Sequence, residues 1–122
     1  MKLARALLVF ACAAHLAIYL VAAPEHVADT TWPDHARFHV LEAIFWVAAV
    51  DVIAAAIAWW PLARGERWAW WALALTWVLV HASYFVAIIA LPAGRPPNAS
   101  ADITLGITAA IFAAGLVAAR RR

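Results

Sequence analysis

Four ionisable residues interrupt long apolar stretches of this sequence, and their side chains are the ones that could do chemistry. They are His15, Glu42, Asp51 and His81, and their neighbours are mostly small or aliphatic. An ionisable group in such surroundings costs about 2.5–3.5 kcal/mol on membrane-insertion scales, so each one calls for a partner or a role. Imidazoles and carboxylates support proton transfer, ligand binding and metal binding. These are the chemistries that the four positions allow.

A second polar group follows a helical spacing. At about 100° per residue, four side chains fall within about 60° of one another on one helix face. They are His35, His39, Glu42 and Trp46. Two imidazoles and a carboxylate at this spacing suit a divalent cation or a polar substrate. The stripe predicts either a site in which His35, His39 and Glu42 bind a metal or transfer protons, or structural pairing near a membrane surface.

His15 and His81 allow three interpretations. They hydrogen-bond between helices, or they line one pocket together with Glu42, or they are the axial ligands of a b-type haem, which is the least favoured of the three. Tyr84 lies one turn after His81 and Trp77 one turn before it, so the three side chains share a helix face. That face predicts either the wall of a hydrophobic ligand pocket or the core of a bundle.

Asp51 points away from the stripe of His35, His39 and Glu42. At its depth, Thr76 could accept or donate a hydrogen bond to the protonated acid, and Arg5 could pair with the carboxylate. We expect one of these two partners, although a membrane carboxylate also carries protons in transporters.

The composition indicates which elements position these residues. Of the 122 residues, 68% are hydrophobic and 13% are charged, whereas soluble domains have about 45–50% and about 25%. A single cysteine excludes a disulfide scaffold, and the apolar composition excludes a disordered chain and a nucleic-acid partner despite the net charge of +2. The chain is therefore expected to be an integral membrane protein whose partner is the lipid bilayer.

Four stretches reach the length of about 20 residues that a helix needs to cross about 30 Å of hydrocarbon. They cover residues 3–23, 38–60, 68–91 and 103–119. Each connection begins with a proline (Pro24, Pro61 and Pro92), which we expect to end the preceding helix. The first stretch is longer than the core of a signal peptide, which favours a retained span. The prediction is a single-domain, all-α membrane four-helix bundle in which sequential helices are antiparallel.

Lysine and arginine are distributed unevenly between the two ends of this predicted bundle. Seven of the nine fall on the side of the termini: Lys2, Arg5, Arg64, Arg67, Arg120, Arg121 and Arg122. Cytoplasmic loops carry an excess of these residues, so both termini are predicted to be cytoplasmic. The alanine-rich composition is typical of a bacterium, and the inner membrane is the expected location.

The segment before the second span resembles a known pattern. The residues from His26 through Trp32-Pro33 to His39 read H-x5-W-P-x-H-A-R-F-H, and this is similar to a motif of small four-span bacterial and fungal membrane proteins that have no assigned activity. The resemblance covers about 14 residues and implies a shared site on the outer face, but no reaction.

A second likeness, to the membrane-associated eicosanoid and glutathione metabolism proteins, concerns the run from His35 to Glu42. Those proteins carry R-A-x-x-N-x-x-E, and histidines stand here for the first arginine and the asparagine. Their motif lies on the cytoplasmic side, whereas the charge distribution here places it outside. We therefore do not carry their glutathione site over to this chain.

The favoured function is a pocket that opens to the outer face and binds a small hydrophobic molecule or a divalent metal ion. Its proton-transfer groups are expected to be His39, Glu42 and His81. Its ligand-contacting groups are expected to be His15, Trp46, Trp77 and Tyr84. The sequence leaves open whether the pocket catalyses a reaction.

The alternative function is a small transporter or an assembly subunit that is not an enzyme and acts as a homo-oligomer. The fourth span supports this alternative because Gly106, Ala110 and Ala114 are four residues apart and would let another helix approach closely.

Overall fold

The computed structural model describes residues 1–91 and 99–120, and all regular secondary structure within these two stretches is helical. The four long helices are α1 (Lys2–Ala28), α2 (Asp34–Trp59), α3 (Arg67–Ala90) and α4 (Ser100–Arg120), and a short 3₁₀ helix (Leu62–Arg64) follows α2. Each long helix has the length and hydropathy to cross a membrane. The predicted all-α class is confirmed, and the four predicted spans correspond to four helices that are long and apolar enough to cross a membrane, with differences of a few residues at the helix ends.

The predicted role of the prolines is wrong for Pro24 and confirmed for Pro61. α1 continues through Pro24 and ends only at Asp29, whose N–H donates to the carbonyl of Glu25 at 3.1 Å. A proline removes one backbone hydrogen bond, and a membrane helix tolerates this when the residues after it still find partners. Pro61, in contrast, directly follows the C-cap of α2. Pro92 lies outside the described residues.

The turn after Pro61 reverses the chain toward α3. Gly65 ends the 3₁₀ helix with a φ of 78°, and its N–H donates to the carbonyl of Leu62 at 3.0 Å. This left-handed conformation favours glycine because a side chain would clash with the backbone there. The reversal places the start of α3 beside the end of α2.

α1 packs against both α2 and α4, and these two helices in turn contact α3. α1 contacts α2 and α4 extensively, whereas α3 makes fewer contacts with its neighbours α2 and α4. The buried residues of α1 in this packing repeat every three or four positions: Ala4, Leu8, Ala11, Cys12 and His15. Those of α2 follow the same spacing: Asp51, Ala54 and Ala58. Small side chains on both faces let the two backbones approach closely.

Both described chain ends lie at one end of the bundle, which we call the terminal end. Met1, Arg64 and Arg120 line one open cavity there. The opposite end, the distal end, holds the connection between α1 and α2 and the start of α4. Sequential helices therefore run antiparallel.

Contacts at both ends tie α1 to α2. At the terminal end, the guanidinium of Arg5 lies 4.3 Å from the ring centroid of Trp59, a distance at which a cation–π attraction operates. At the distal end, Arg37 Nε donates to the carbonyl of Val27 at 2.6 Å. The two helices therefore form a hairpin in which side-chain contacts join them at both ends.

The apolar core lies in the terminal half of the bundle. Leu8 and Leu73 are its largest completely buried side chains, and Ala58 and Ala69 beside them are also completely buried. Gly115 packs on Leu8 so closely that a Cβ at this glycine would lie 2.7 Å from Leu8 Cγ. Large apolar side chains also cover the outside of the bundle, as a surface that faces lipid requires.

Candidate functional site

A buried histidine–carboxylate pair lies near the middle of the bundle. His15 Nδ1 of α1 is 2.9 Å from Asp51 Oδ2 of α2, and the two residues are 5% and 6% exposed. Ala11 and Ala54 lie beside them, so the close approach of α1 and α2 brings the two polar side chains into contact. Burying either charge alone would cost several kcal/mol, and the contact offsets part of that cost.

The expected partners of Asp51 were wrong. Thr76 donates its hydroxyl to the carbonyl of Ala72 within its own helix at 2.9 Å. Arg5 lies over Trp59 at the terminal end instead of reaching up to Asp51. The physical reason is rotation, because α2 turns its aspartate toward α1, and α1 presents His15 at that level.

His81 of α3 completes a group of three with His15 and Asp51, which we call the central cluster. The ring centroids of His81 and His15 are 5.8 Å apart. His81 Nδ1 lies 2.9 Å from the carbonyl oxygen of Trp77, and since a carbonyl only accepts, this nitrogen carries the proton in the neutral ring. Nε2 then has a free lone pair, and it is buried without a hydrogen-bond partner among the described residues. The structure thus holds a base inside an apolar bundle.

Trp77 fixes the position of α3 at this level. Its indole Nε1–H donates to the carbonyl of Ala109 in α4 at 2.9 Å, and its ring centroid is 5.8 Å from that of His81. One residue therefore anchors α3 to α4 through its side chain and holds His81 through its backbone carbonyl.

Two small voids flank the central cluster. The terminal void, of about 10 Å³, is bordered by His15, Asp51, Thr76, His81 and Thr108. The distal void, of about 40 Å³, is bordered by His15, Tyr19, His81 and Tyr84. A buried water needs about 10–15 Å³ of such space and two to four polar partners. The first void suits about one water and the second suits about three.

A further polar contact lies beyond the distal void. The hydroxyl of Tyr84 donates to Asp102 Oδ1 at 2.6 Å, and this bond joins α3 to the first turn of α4. A negative charge is favoured at that position because it faces the positive end of the helix dipole. Polar side chains therefore continue from the central cluster toward the distal end.

The stripe on α2 forms a connected chain of side chains, but it lies on the outside of the bundle. His39 Nδ1 is 3.1 Å from Glu42 Oε2, and His39 Nε2 is 3.1 Å from His35 Nε2. The side chains of His39 and Glu42 are 56% and 46% exposed, and Trp46 is exposed as well. The structure does not bring these residues to His15, His81 and Tyr84, with which we expected them to share a pocket.

The reason is the angle between the two carboxylates of α2. Glu42 and Asp51 are nine residues apart, which at about 100° per residue places them on opposite faces of the helix. α2 can bury one of them, and it buries Asp51 because Ala54 and Ala58 continue that face. The spacing of one aspartate and two alanines was the signal that sequence reasoning missed.

The stripe also lacks the convergence that a three-ligand metal site needs. Within residues 1–91 and 99–120, no group of three or more histidine, cysteine or acidic side chains is arranged to hold a metal ion. Glu42 approaches Nδ1 of His39, whereas His35 approaches Nε2 on the other side of the ring. A cation between the two Nε2 atoms would therefore lie away from the carboxylate.

The packing around His15 and His81 does not fit a haem. Axial ligation needs a porphyrin-sized space between two imidazoles, and the voids beside these rings measure about 10 and 40 Å³. The same volumes leave little space for a hydrophobic ligand beside Trp77 and Tyr84. Voids of this size are large enough for water molecules.

No protein-family model matches this chain. None of the curated proteins and none of the solved structures matches it either. The resemblance of the segment from His26 to His39 to small four-span membrane proteins therefore stays a prediction. The function has to be argued from the site itself.

Proposed function

We propose that this chain is a multi-pass protein of a bacterial inner membrane that binds and releases protons at its central cluster. The length and hydropathy of the four helices support insertion into a bilayer. The excess of lysine and arginine at the terminal end supports cytoplasmic termini, which makes the distal end the outer face.

The observation that carries the proposal is the buried base beside the buried pair. Hydrogen bonding between helices explains His15 and Asp51, which satisfy each other at 2.9 Å. It does not explain His81, whose Nε2 is buried without a partner among the described residues. An unsatisfied buried polar atom costs about 1–3 kcal/mol, and a water molecule that donates to that lone pair from an adjoining void would remove this cost.

The cluster has the groups that proton binding needs. A proton that arrives at Nε2 of His81 converts the ring to an imidazolium, and its Nδ1–H stays bonded to the carbonyl of Trp77. A proton on Nε2 of His15 is stabilised by the carboxylate of Asp51 through the existing Nδ1 contact. Imidazole is the side chain that takes up and releases a proton most readily near neutral pH, and a nearby carboxylate favours its charged form.

The proposal is tested by following the ring nitrogens of ¹⁵N-labelled histidine by NMR in lipid nanodiscs between about pH 5 and 9. His15 and His81 should both change protonation in this range, and Asp51→Asn should alter the response of His15, because it removes the charge of the carboxylate that the ring contacts. Glu42→Gln is the matched control, since it removes the charge of the exposed carboxylate on the same helix. If neither His15 nor His81 changes protonation in this range, the proposal is wrong.

A homo-oligomeric assembly subunit is the second candidate, and exposed groups favour it. His39 and Glu42 are ionisable but lie on the outside of the bundle, where membrane proteins rarely place such groups without a cover. The face with Gly106, Ala110 and Ala114 is exposed as well. The particle mass in mild detergent tests this candidate, because a monomer that still titrates at His15 and His81 excludes it.

A further inference from the structure

Space and polarity are distributed unequally on the two sides of the central cluster. On the distal side, the larger void is followed by the hydrogen bond from Tyr84 to Asp102. On the terminal side, the smaller void is followed by Leu8 and Leu73, which are completely buried. This asymmetry bears on the end of the bundle from which a proton reaches the central cluster.

We infer that the central cluster exchanges protons with the distal face alone, along a path from Asp102 and Tyr84 through the distal void to His81. The apolar core of the terminal half closes the other side. This inference rests on the proposed proton binding and adds to it the direction of access. The chain is then a one-sided proton site and not a channel.

The first step of the path is the contact between Asp102 and Tyr84. The tyrosine hydroxyl donates to the carboxylate at 2.6 Å. When Asp102 receives a proton from water at the distal face, it can return a proton to the phenol oxygen while the phenol gives its own proton onward. The phenol starts and ends neutral, so the step moves one proton and needs no other reactant.

The second step crosses the distal void. Tyr84, His81 and His15 all border this space of about 40 Å³, which suits about three waters. A short chain of hydrogen-bonded waters in this void transfers the proton from the phenol to the lone pair on Nε2 of His81. The ring centroid of His15 is 5.8 Å from that of His81 and 5.1 Å from that of Tyr19, and both imidazoles border this void.

Other titratable groups surround the cluster and belong to its proton balance. Those that border the voids or join them are Cys12 and Tyr19 on α1, Asp51 on α2, Tyr84 on α3 and Asp102 on α4. The two carboxylates lie on opposite sides of the imidazoles, because Asp102 bonds Tyr84 beyond the distal void and Asp51 contacts His15. In the inferred path, protons enter at Asp102, and Asp51 stabilises a proton on His15.

Among the residues that the structure describes, the terminal half shows no comparable path. Below the terminal void, the buried side chains that fill the space between the four helices are apolar, with Leu8, Ala58 and Leu73 at or near zero exposure. Gly115 lets Leu8 pack directly against the backbone of α4. Beneath this layer, the guanidinium of Arg5 is a fixed positive charge, and a positive charge at a constriction repels protons and cations.

The first test measures the rate of protonation at the cluster. Protons are released by a laser flash from a caged acid, and the ring bands of isotope-labelled histidine are followed by infrared spectroscopy. Tyr84→Phe and Asp102→Asn should each slow the protonation of His81 at least about tenfold, which is less than the about 10²–10⁴-fold effects of well-placed proton-transfer groups. The equilibrium titration of His81 should persist in both variants.

Ser83→Ala is the matched control, because it removes an exposed hydroxyl one residue from Tyr84 on the same helix. Its rate should equal that of the unmodified chain. If Tyr84→Phe and Asp102→Asn also leave the rate unchanged while His81 still titrates, the path is wrong and proton binding survives. If His15 and His81 do not titrate at all, the proposed function fails before the path is considered.

The second test measures flux across the bilayer. Vesicles that contain the protein and a trapped pH-sensitive dye are exposed to a pH step, and the titration of His81 is confirmed in the same vesicles. The one-sided site predicts no sustained proton flux above that of protein-free vesicles. Sustained flux would overturn the closure by Leu8 and Leu73.

Discussion

α2 carries two histidine–carboxylate pairs that have similar lengths and opposite surroundings. Asp51 meets His15 of α1 at 2.9 Å, and the two side chains are 9% and 6% exposed. Glu42 meets His39 of its own helix at 3.1 Å, and about half of each of these side chains is exposed. The first pair joins two helices, and the second joins two turns of one helix.

Burial, and not distance, decides how much such a pair contributes to stability. An exposed pair contributes about 0–1 kcal/mol because solvent screens it. Removing one partner of a buried pair costs about 3–5 kcal/mol because the other is left uncompensated. The buried pair also excludes bulk water, so any proton that reaches it must come along a defined path. The same two residue types therefore serve different roles on one helix.

The largest expected effect is that of Asp51→Ala. It leaves His15 buried without its partner and should lower the free energy of unfolding by about 3–5 kcal/mol, measured by titration with denaturing detergent in mild micelles. Glu42→Ala is the control and should cost less than about 1 kcal/mol. Asp51→Asn keeps a hydrogen-bonding group and should recover part of the loss. Equal costs for Asp51→Ala and Glu42→Ala would contradict the comparison.

The two sides of α4 give the next effect. In Gly115→Ala the new methyl would lie 2.7 Å from Leu8 Cγ and 3.2 Å from Leu8 N, so we expect a loss of about 1–3 kcal/mol from overpacking. Gly106→Ala meets no atom within 4 Å, and alanine favours a helix over glycine by about 1 kcal/mol. The same detergent titration should show opposite signs for the two variants, and a stabilising Gly115→Ala would show that the contact with Leu8 is not tight.

Two tryptophans extend the comparison with a smaller effect. Trp77→Phe removes the indole hydrogen bond to Ala109 and should cost about 1 kcal/mol, together with a change in the NMR signals of His81. Trp46→Phe alters a ring that is 67% exposed and should change stability little. The expected difference vanishes if the contact between Trp77 and α4 does not hold α3 in place.

A third carboxylate, Asp29, lies at the C-cap of α1. Hydrogen bonds from the hydroxyl of Thr31 and, to a smaller extent, from its backbone N–H lower the pKa of Asp29 below its ordinary value. Because the folded-state pKa is lowered, the stabilisation is present above about pH 4 and is lost as pH falls through the folded-state value. Thr31→Ala should move the pKa of Asp29 upward, measured by ¹³C NMR of the carboxyl group. An unchanged pKa would assign the effect to other neighbours.

Much of the fold could be predicted from the sequence because the length of apolar stretches is a direct physical requirement. A helix needs about 20 residues to cross a bilayer, and each of the four predicted stretches coincides with one of the four helices, two of them ending one residue beyond it. The helix ends were less accessible. Pro24 shows why, since a proline costs one hydrogen bond and the following residues decide whether the helix ends there.

The sequence predicted which residues belong to the candidate site, but it did not predict which residue pairs with which. His15 and His81 stood out because an imidazole in an apolar stretch is costly, and both lie in the central cluster. The partner of His15 depends on how α2 is rotated about its axis, and the polar stripe with Glu42 suggested the wrong face. The face with Asp51 and two alanines holds fewer polar groups, but small residues determine which face approaches another membrane helix.

The uneven packing of α3 has a consequence for the separation of the two imidazoles. In its most hydropathic window, 6% of α3 is buried, compared with 28% for α1, and sparsely packed elements move most readily. We therefore expect thermal motion mainly in α3, which carries His81, while the hairpin of α1 and α2 keeps His15 and Asp51 together. Movement of α3 relative to this hairpin would change the distance of 5.8 Å between the ring centroids of His15 and His81.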